Sequence, residues 1–174
     1  RMHEDVPLVV AGVNSEAAQH HKGIIANPNC TTMVMMMALA PLHHAAGLER
    51  LVVSTYQAVS GTGNKAIAEL EDQSSQVLAG EPIDDPKVYP HRIAFNVIPQ
   101  VETFKDGDDY TTEERKVMAE TRKILGFGDE VGISATCARV PVVSGHSESI
   151  NIQTREDLSP DRAREILGQV SGVI

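Results

Sequence analysis

The chain has 174 residues and a mass of 18.8 kDa, which is enough for one compact domain with a hydrophobic core. Hydrophobic residues make up 41% and charged residues 22% of the sequence, and this balance excludes collagen-like and intrinsically disordered proteins. Fifteen basic against 24 acidic residues give a formal net charge of −9, which disfavours nucleic acid and anionic membrane surfaces as partners. Aromatic residues amount to only 3%, without tryptophan, so a base-stacking platform is not expected.

The sequence also limits the compartment and the kind of site. No apolar run reaches the roughly 20 residues of a membrane span, and no signal peptide opens the chain. The two cysteines, Cys30 and Cys137, are too few for a disulfide framework, which favours a reducing cytoplasm. They are far apart in sequence and lack neighbouring histidine pairs, so no metal site is expected. Because the chain begins with Arg1 rather than Met, we interpret it as part of a longer protein.

Short strand-like runs alternate with longer helical ones along the chain. Strands are predicted at 8–10, 23–26, 51–56, 93–98, 132–140 and 149–153. Helices are predicted from about 30 to 44, from 64 to 79, from 111 or 112 to 125, and from 159 to about 170. The polar stretch 81–92 is predicted to be a surface excursion. This order favours an α+β fold, a mixed β-sheet covered by helices in a single domain.

Cys30 stands at the start of the first predicted helix, directly after the helix-capping residue type Asn29. The free N–H groups and the positive dipole end of a first turn favour a thiolate. The same N–H groups stabilise an oxyanion when sulfur attacks a carbonyl. From spacing alone, Cys30 is either a nucleophile or a small buried hydrophobic residue. Cys137, inside a predicted strand, is expected to be the latter.

A thiolate nucleophile needs a proton-transfer partner, and His146 is the best placed of the seven histidines. It lies in a glycine-containing loop that leaves a strand, where catalytic groups are often presented. The histidine pairs at 20–21 and 43–44 are predicted to be surface residues. Arg139 lies in extended backbone just before a proline, and its guanidinium can bind a carboxylate. A surface salt bridge is the alternative for it.

Two further patterns are weaker. Glu113 and Lys116 stand three positions apart at the start of the third helix, where capping and an ordinary ion pair are the alternatives to a binding role. The glycine-rich turn 60–63 lies between a strand and a helix, and it either contacts a phosphate or ribose through N–H groups or is only a tight turn. No dinucleotide-binding G-x-G-x-x-G motif and no P-loop occurs.

Together and in this order, these motifs resemble an aspartate-β-semialdehyde dehydrogenase, specifically its catalytic and dimerisation domain. The resemblance covers nearly the whole chain through the segments 1–2, 5–10, 23–32, 53–61, 93–99, 120–126, 139–142 and 145–147. It implies the fold of the catalytic domain of glyceraldehyde-3-phosphate dehydrogenase-type enzymes. It also implies that residues 1–174 form this one domain, without the dinucleotide-binding domain and the carboxy-terminal segment of the longer family enzymes.

The resemblance implies a role for each matching residue. Cys30 would be the nucleophile that forms a thioester with the aspartyl group, and His146 the general acid/base. The substrate would be held by Arg139 at its α-carboxylate, Glu113 at its α-amino group, Lys116 and Arg1 at the phosphate, and Gln57 and Asn29 near the sulfur. Ser60 and Gly61 would contact the nicotinamide half of NADP.

The implied reaction is the NADPH-dependent reduction of β-aspartyl phosphate to aspartate β-semialdehyde and phosphate. It serves the biosynthesis of lysine and diaminopimelate, threonine, methionine and isoleucine. The resemblance also implies a homodimer. NADP would be held mostly by the absent domain, so the isolated chain is expected to be inactive. An N-acetyl-γ-glutamyl-phosphate reductase is one alternative, but that family prefers a glycine and an aromatic residue where this chain has Asn29 and Thr31. A non-catalytic fragment for dimerisation or substrate binding is the other.

Overall fold

The computed structural model describes all residues from 1 to 174. It contains three strands, β1 (Leu48–Gln57), β2 (Gly132–Arg139) and β3 (Ser147–Thr154). It contains four α-helices, α1 (Cys30–Ala46), α2 (Asn64–Ala79), α3 (Thr112–Leu125) and α4 (Pro160–Gly168), and two short 3-10 helices, Ser15–His20 and Val59–Thr62. None of the helices has the length and hydropathy that a transmembrane span requires.

The three strands form one mixed sheet in the order β2-β1-β3. At the end of β1, the N–H of Val140 donates to the carbonyl of Gln57 at 3.1 Å, as expected if β1 and β2 run parallel. At the start of β1, the N–H of Arg155 donates to the carbonyl of Gly47 at 2.7 Å, as expected if β1 and β3 run antiparallel. The predicted α+β class with a mixed sheet is therefore confirmed.

Strand β1 shows the two-residue alternation of a half-buried strand. From Leu51 onward, every second side chain is buried, and the residues between them are exposed or half-buried. Because successive side chains point to opposite faces, the alternation that buries Val53 also carries Thr55 and Gln57 to the buried face. Two polar side chains thus enter the interior at the carboxyl end of β1.

Pro41 lies inside α1, and the sequence predicts that it kinks the helix or ends it early. The early end is wrong, since α1 continues to Ala46. Met36 and Leu39, close to the proline on the same helix, are buried. Each buried side chain of this kind contributes about 1.5–3 kcal/mol, and together they offset the roughly 3 kcal/mol cost of an internal proline.

Three of the predicted strands do not form. The runs at 8–10 and 23–26 make only one isolated parallel bridge, between Leu8 and Ala26. The run at 93–98 contributes a single antiparallel bridge from Ile98 to Arg139. β-propensity yields a strand only where a partner strand lies alongside, and these runs have no continuous partner. The other three strands and all four helices are confirmed, and the stretch 81–92 contains neither helix nor strand.

The chain divides into two compact units. The first unit comprises Arg1–Val53, Arg115–Ala135 and Ile150–Ile174, and the second comprises Ser54–Glu114 and Thr136–Ser149. In the first unit α1 packs against α4, and the core includes Met35, Met36, Leu39, Leu51 and Val117. The core of the second unit is formed by Val59, Ala66, Leu70, Ile93, Ala94 and Ile98.

Candidate active-site residues

In the first unit, Cys30 is the first residue of α1, and its side chain is exposed. The helix begins there because Oδ1 of Asn29 accepts hydrogen bonds from the N–H groups of Thr31, at 2.8 Å, and Thr32, at 3.2 Å. Exposure excludes the buried, purely structural alternative for Cys30. The thiol therefore lies at the positive end of the dipole of a 17-residue helix.

A buried carboxylate on α3 contacts the segment that leads into Cys30. Glu120 has no exposed surface. Its Oε2 accepts from the N–H of Asn29 at 2.9 Å and from Oγ1 of Thr32 at 2.9 Å. Its Oε1 lies 3.0 Å from Nε of Arg1. One carboxylate thus contacts both the turn before Cys30 and the cation predicted to bind phosphate.

The predicted phosphate-binding cations, Arg1 and Lys116, both belong to the first unit. Lys116 is half-buried on α3, and 34% of the Arg1 side chain is exposed. The backbone of Arg1 is held by a second α3 residue, because Nζ of Lys123 donates to the carbonyls of Arg1 at 2.9 Å, His3 at 2.7 Å and Val6 at 2.8 Å. Side chain and backbone of Arg1 are therefore both fixed to α3.

The sequence patterns predict no role for Glu120 or Lys123. A signal for Glu120 was present, because positions 117, 120, 121 and 124 share the i, i+3, i+4, i+7 spacing of an apolar helix face. A carboxylate in that register is buried with the helix face, so it needs polar partners there.

In the second unit, Gln57 and Glu113 form a buried pair. Nε2 of Gln57 donates to Oε1 of Glu113 at 3.0 Å, and both side chains are buried. Oε1 of Gln57 accepts from Oγ1 of Thr55 at 3.1 Å, which fixes the orientation of the amide. The fixed, buried carboxylate has the chemistry to bind an ammonium group.

The capping role considered for Glu113 belongs to its neighbour. Oε2 of Glu114 accepts from the N–H of Thr111 at 2.8 Å, and Oγ1 of Thr111 accepts from the N–H of Glu114 at 3.3 Å. This reciprocal pair is a capping box at the start of α3. The carboxylate of Glu113 is therefore not needed to cap the helix.

Arg139, at the end of β2, is 7% exposed, which excludes the surface salt bridge considered for it. Its Nη1 donates to the carbonyl of Ala58 at 2.7 Å, and its guanidinium carbon lies 5.7 Å from the ring centre of Tyr89, within the range of a cation–π contact. Its Nε is buried without a hydrogen-bond partner. A buried guanidinium with an unsatisfied donor favours an anion beside it.

His146 contacts the backbone of Ala58, as Arg139 does. Its Nδ1 accepts from the N–H of Ala58 at 3.0 Å, which leaves the proton of the neutral ring on Nε2. The pKa of His146 is lowered mainly by burial and further by the positive charge of Arg139, against a smaller raising effect of Glu113. Gly61 lies against the ring, because a Cβ at this position would be 3.6 Å from Nε2 and Cε1 of His146.

The predicted cofactor contacts, Ser60 and Gly61, lie in the 3-10 helix Val59–Thr62 instead of a simple tight turn. The N–H of Ser60 donates to the carbonyl of Val143 at 3.1 Å, and the N–H of Gly63 donates to the carbonyl of Ser60 at 3.0 Å. Two of the N–H groups expected to meet a phosphate or ribose are thus used inside the protein. No group of three or more histidine, cysteine, aspartate or glutamate side chains is arranged to hold a metal ion.

The predicted site residues fall into two groups. The first unit contains Arg1, Asn29, Cys30 and Lys116, and the second contains Gln57, Ser60, Gly61, Glu113, Arg139 and His146. Within the second unit, Ala58 brings Arg139 and His146 together. The approach of His146 to Cys30 stays a prediction.

The remaining cysteine and histidine predictions have mixed outcomes. Cys137 is buried, as predicted, and burial raises its pKa to about 12. The pair at 20–21 is exposed, also as predicted. The surface prediction is wrong for His43, whose Nδ1 accepts from the N–H of Leu48 at 3.1 Å and whose ring packs edge-on against Phe127. This histidine satisfies a backbone donor where α1 turns into β1.

Comparison with known proteins decides the family. Residues 39–173 match the family described as "Semialdehyde dehydrogenase, dimerisation domain". The chain belongs to this family. An aspartate-semialdehyde dehydrogenase from Aquifex aeolicus is 49% identical over 100% of this chain and 51% of its own length.

Two solved structures give the same family and fold. Aspartate semialdehyde dehydrogenase II from Vibrio cholerae, complexed with ASA, has a TM-score of 0.92 and 41% identity over 98% of this chain and 51% of its own. Aspartate semialdehyde dehydrogenase from Candida albicans, with NADP, has a TM-score of 0.65 and 27% identity over 97% of this chain and 46% of its own. The chain spans about half the length of the curated relatives it matches.

Proposed function

We propose that this semialdehyde dehydrogenase family chain is the catalytic part of an NADPH-dependent aspartate-semialdehyde dehydrogenase, which converts β-aspartyl phosphate into aspartate β-semialdehyde and phosphate. The product would feed the biosynthesis of lysine and diaminopimelate, threonine, methionine and isoleucine. The observation that carries the proposal is the exposed Cys30 at the capped N-terminus of α1. The relatives named aspartate-semialdehyde dehydrogenase support the substrate class.

In the proposed reaction, the thiolate of Cys30 attacks the acyl carbon of β-aspartyl phosphate. The carbon–oxygen bond to phosphate breaks, phosphate leaves, and an aspartyl thioester remains on the sulfur. The N-terminal dipole of α1 favours both the thiolate and the oxyanion that develops on the carbonyl oxygen. His146 is the proposed acid/base, and with Nδ1 accepting from Ala58 its Nε2–H is in the donating form for that oxygen.

The three charged groups of the substrate each have a proposed partner. Arg139 would bind the α-carboxylate, and Glu113, held by Gln57, the α-ammonium group, because both are buried and of the required sign. Arg1 and Lys116 would bind the phosphate, and Asn29 would lie next to the acyl group as the residue before Cys30. A net charge of −9 makes such local cations necessary for binding an anionic substrate.

In this proposal Ser60 and Gly61 would form one wall of the cofactor site. Gly61 is exposed and lies against His146, so a flat ring could approach the acid/base there. When bound, NADPH supplies the hydride that reduces the acyl group. We propose that most of the NADP site lies outside this chain, because the chain carries no dinucleotide-binding motif.

We further propose that the chain forms a homodimer. The family's description as a dimerisation domain supports this. Multi-angle light scattering on the purified chain tests it, with twice the monomer mass expected and a monomer at high micromolar concentration contradicting it.

The acylation half-reaction tests the proposed function without any cofactor. The chain is incubated with synthetic β-aspartyl phosphate, quenched in acid, digested and analysed by mass spectrometry. We expect one aspartyl group on the peptide that contains Cys30, together with release of phosphate in equal amount. Cys30→Ser is expected to abolish the adduct.

The second cysteine supplies the matched control. Cys137→Ser removes a buried thiol, and it is expected to leave acylation of Cys30 unchanged. An aspartyl adduct on Cys137 at the same rate, or phosphate release by Cys30→Ser that still exceeds the spontaneous hydrolysis of β-aspartyl phosphate, would contradict the proposal.

A further inference from the structure

We infer that Glu120 is a positioning residue that holds the phosphate-binding Arg1 and the nucleophile segment Asn29–Cys30 in a fixed mutual arrangement. This inference rests on the proposed function. It adds a residue to which the family resemblance gave no role, and it names the property that this residue would control, namely phosphate binding close to the thiol.

The two oxygens of the Glu120 carboxylate have different partners. Oε2 accepts from the N–H of Asn29 and from Oγ1 of Thr32, both at 2.9 Å. Oε1 faces Nε of Arg1 at 3.0 Å. The same carboxylate therefore contacts the residue before Cys30 on one side and the guanidinium on the other.

The burial of this carboxylate makes the arrangement rigid. Glu120 is 0% exposed, so its charge has no water to replace a lost partner, and moving either contact leaves a buried charge uncompensated. Hydrogen bonds to an ionised group are also shorter and stronger than neutral ones. A shift of Arg1 relative to Asn29 is consequently unfavourable.

The guanidinium of Arg1 has the chemistry to bind a phosphate. The ion pair uses Nε, and the two terminal nitrogens of a guanidinium form a fork that matches phosphate oxygens. Lys123 holds the backbone of residues 1–6 through three carbonyls. Glu120 and Lys123 are one turn apart on α3, so a single helix turn anchors both the side chain and the backbone of Arg1.

The experiment measures how strongly inorganic phosphate protects Cys30 from alkylation by iodoacetamide. The rate at the Cys30 peptide is followed by mass spectrometry over a range of phosphate concentrations, which yields a Kd for phosphate. Glu120→Gln keeps the size of the side chain but removes its charge and one acceptor. We expect the Kd for phosphate to rise about tenfold, within the range of coupling between contacting residues.

A second buried glutamate on the same helix provides the matched control. Glu114→Gln also removes a buried negative charge from α3, but its contacts are Thr111 and the N–H of Cys137. This variant is expected to change thermal stability and to leave the Kd for phosphate within about twofold of the parent chain.

A double-mutant cycle separates positioning from a general loss of structure. If Glu120 acts through Arg1, Glu120→Gln has little further effect on phosphate binding once Arg1→Gln is present. Lys123→Gln loosens only the Arg1 side, so it is expected to weaken phosphate protection without changing alkylation in the absence of phosphate. It tests the same anchoring if Glu120→Gln fails to fold.

The measurements distinguish failure of the positioning role of Glu120 from failure of the proposed function. Phosphate protection in Glu120→Gln equal to that of the parent chain, or additive effects in the cycle, would overturn the positioning role while Cys30 still forms the aspartyl thioester. A parent chain that forms no thioester on Cys30 and shows no phosphate protection would overturn the proposed function, and the role of Glu120 with it.

Discussion

Ala58 donates its backbone N–H to Nδ1 of His146 at 3.0 Å. The carbonyl of the same residue accepts from Nη1 of Arg139 at 2.7 Å. A single residue directly after β1 thus fixes the orientation of both side chains and places the proton of neutral His146 on Nε2. The lowered pKa of His146 favours the neutral ring, whose Nε2–H can donate a hydrogen bond.

Replacing Arg139 by glutamine should raise the pKa of His146. Burial, the larger cause of the lowered pKa, remains, but the repulsion between the guanidinium and the imidazolium is removed. The measurement is a titration of the Cε1 proton of His146 by nuclear magnetic resonance. Arg162→Gln, on exposed α4, serves as a control with no expected effect, and an unchanged or lower pKa in Arg139→Gln would count against this account.

Iodoacetamide should modify Cys30 at least about a hundredfold faster than Cys137 at pH 8. Cys30 is exposed, whereas Cys137 is buried and has a pKa raised to about 12 by burial. Peptide mass spectrometry under native conditions gives both rates. In denaturant the two rates should converge, and equal rates in the folded chain would refute the prediction.

Asn29→Ala should lower the free energy of unfolding by about 1 kcal/mol, because the N–H groups of Thr31 and Thr32 lose their common acceptor. Asn29→Ser retains a capping oxygen, so it should recover most of this loss. Urea denaturation followed by circular dichroism measures the difference. If Asn29→Ala is as stable as the parent chain, the Asn29 cap does not stabilise α1.

Glu148→Gln should stabilise the second unit, and more so at high pH. Both carboxyl oxygens of Glu148 are buried without a hydrogen-bond partner, and burial raises its pKa from 4.5 to about 7. The pKa of Glu148 is higher in the folded than in the unfolded chain. The glutamate therefore does not lower the free energy of unfolding at pH 4, and it lowers that free energy progressively as the pH rises to 7. Above pH 7, Glu148→Gln should raise the free energy of unfolding by about 1–2 kcal/mol. This value is smaller than the pKa change alone would give, because Glu148 is still partly exposed to solvent.

Thermal denaturation at pH 4 and pH 8 measures this dependence. Glu81→Gln, at an exposed position, is the control for removal of a charge in general. An equal gain in Tm at both pH values for Glu148→Gln would contradict ionisation as the cause.

The isolated chain should bind NADP too weakly for a Kd in the low micromolar range. It has no dinucleotide-binding motif, and the N–H groups of Ser60 and Gly63 already donate to carbonyls of the protein. Isothermal calorimetry tests this directly, and a low-micromolar Kd would contradict it.

Much of the fold could be predicted from local sequence. All four helices have bounds close to the expected ones, because capping residues such as Asn29 and Ser159 and stop signals such as Gly80 act within one or two turns. The three strands of the sheet were also predicted. The strands that failed show the limit, because the run at 93–98 has the composition of a strand but only one bridging partner.

In the candidate site, too, local features could be predicted from the sequence and long-range contacts could not. Cys30 could be recognised because its capping residue is adjacent, and the family resemblance supplied the other roles. The partners of these residues could not be predicted, since the Gln57–Glu113 and Asn29–Glu120 hydrogen bonds join residues 56 and 91 positions apart.

The sequence by itself determined the family, the order of helices and strands, and the position of a thiol at a helix N-terminus. These depend on residue types and on contacts within a few positions along the chain. Only the tertiary structure decided that Glu120 is buried beside the turn before Cys30 and that the backbone of one residue, Ala58, orients Arg139 and His146. Burial of charge and long-range hydrogen bonds depend on which segments the folded core brings into contact, and no local pattern encodes that choice.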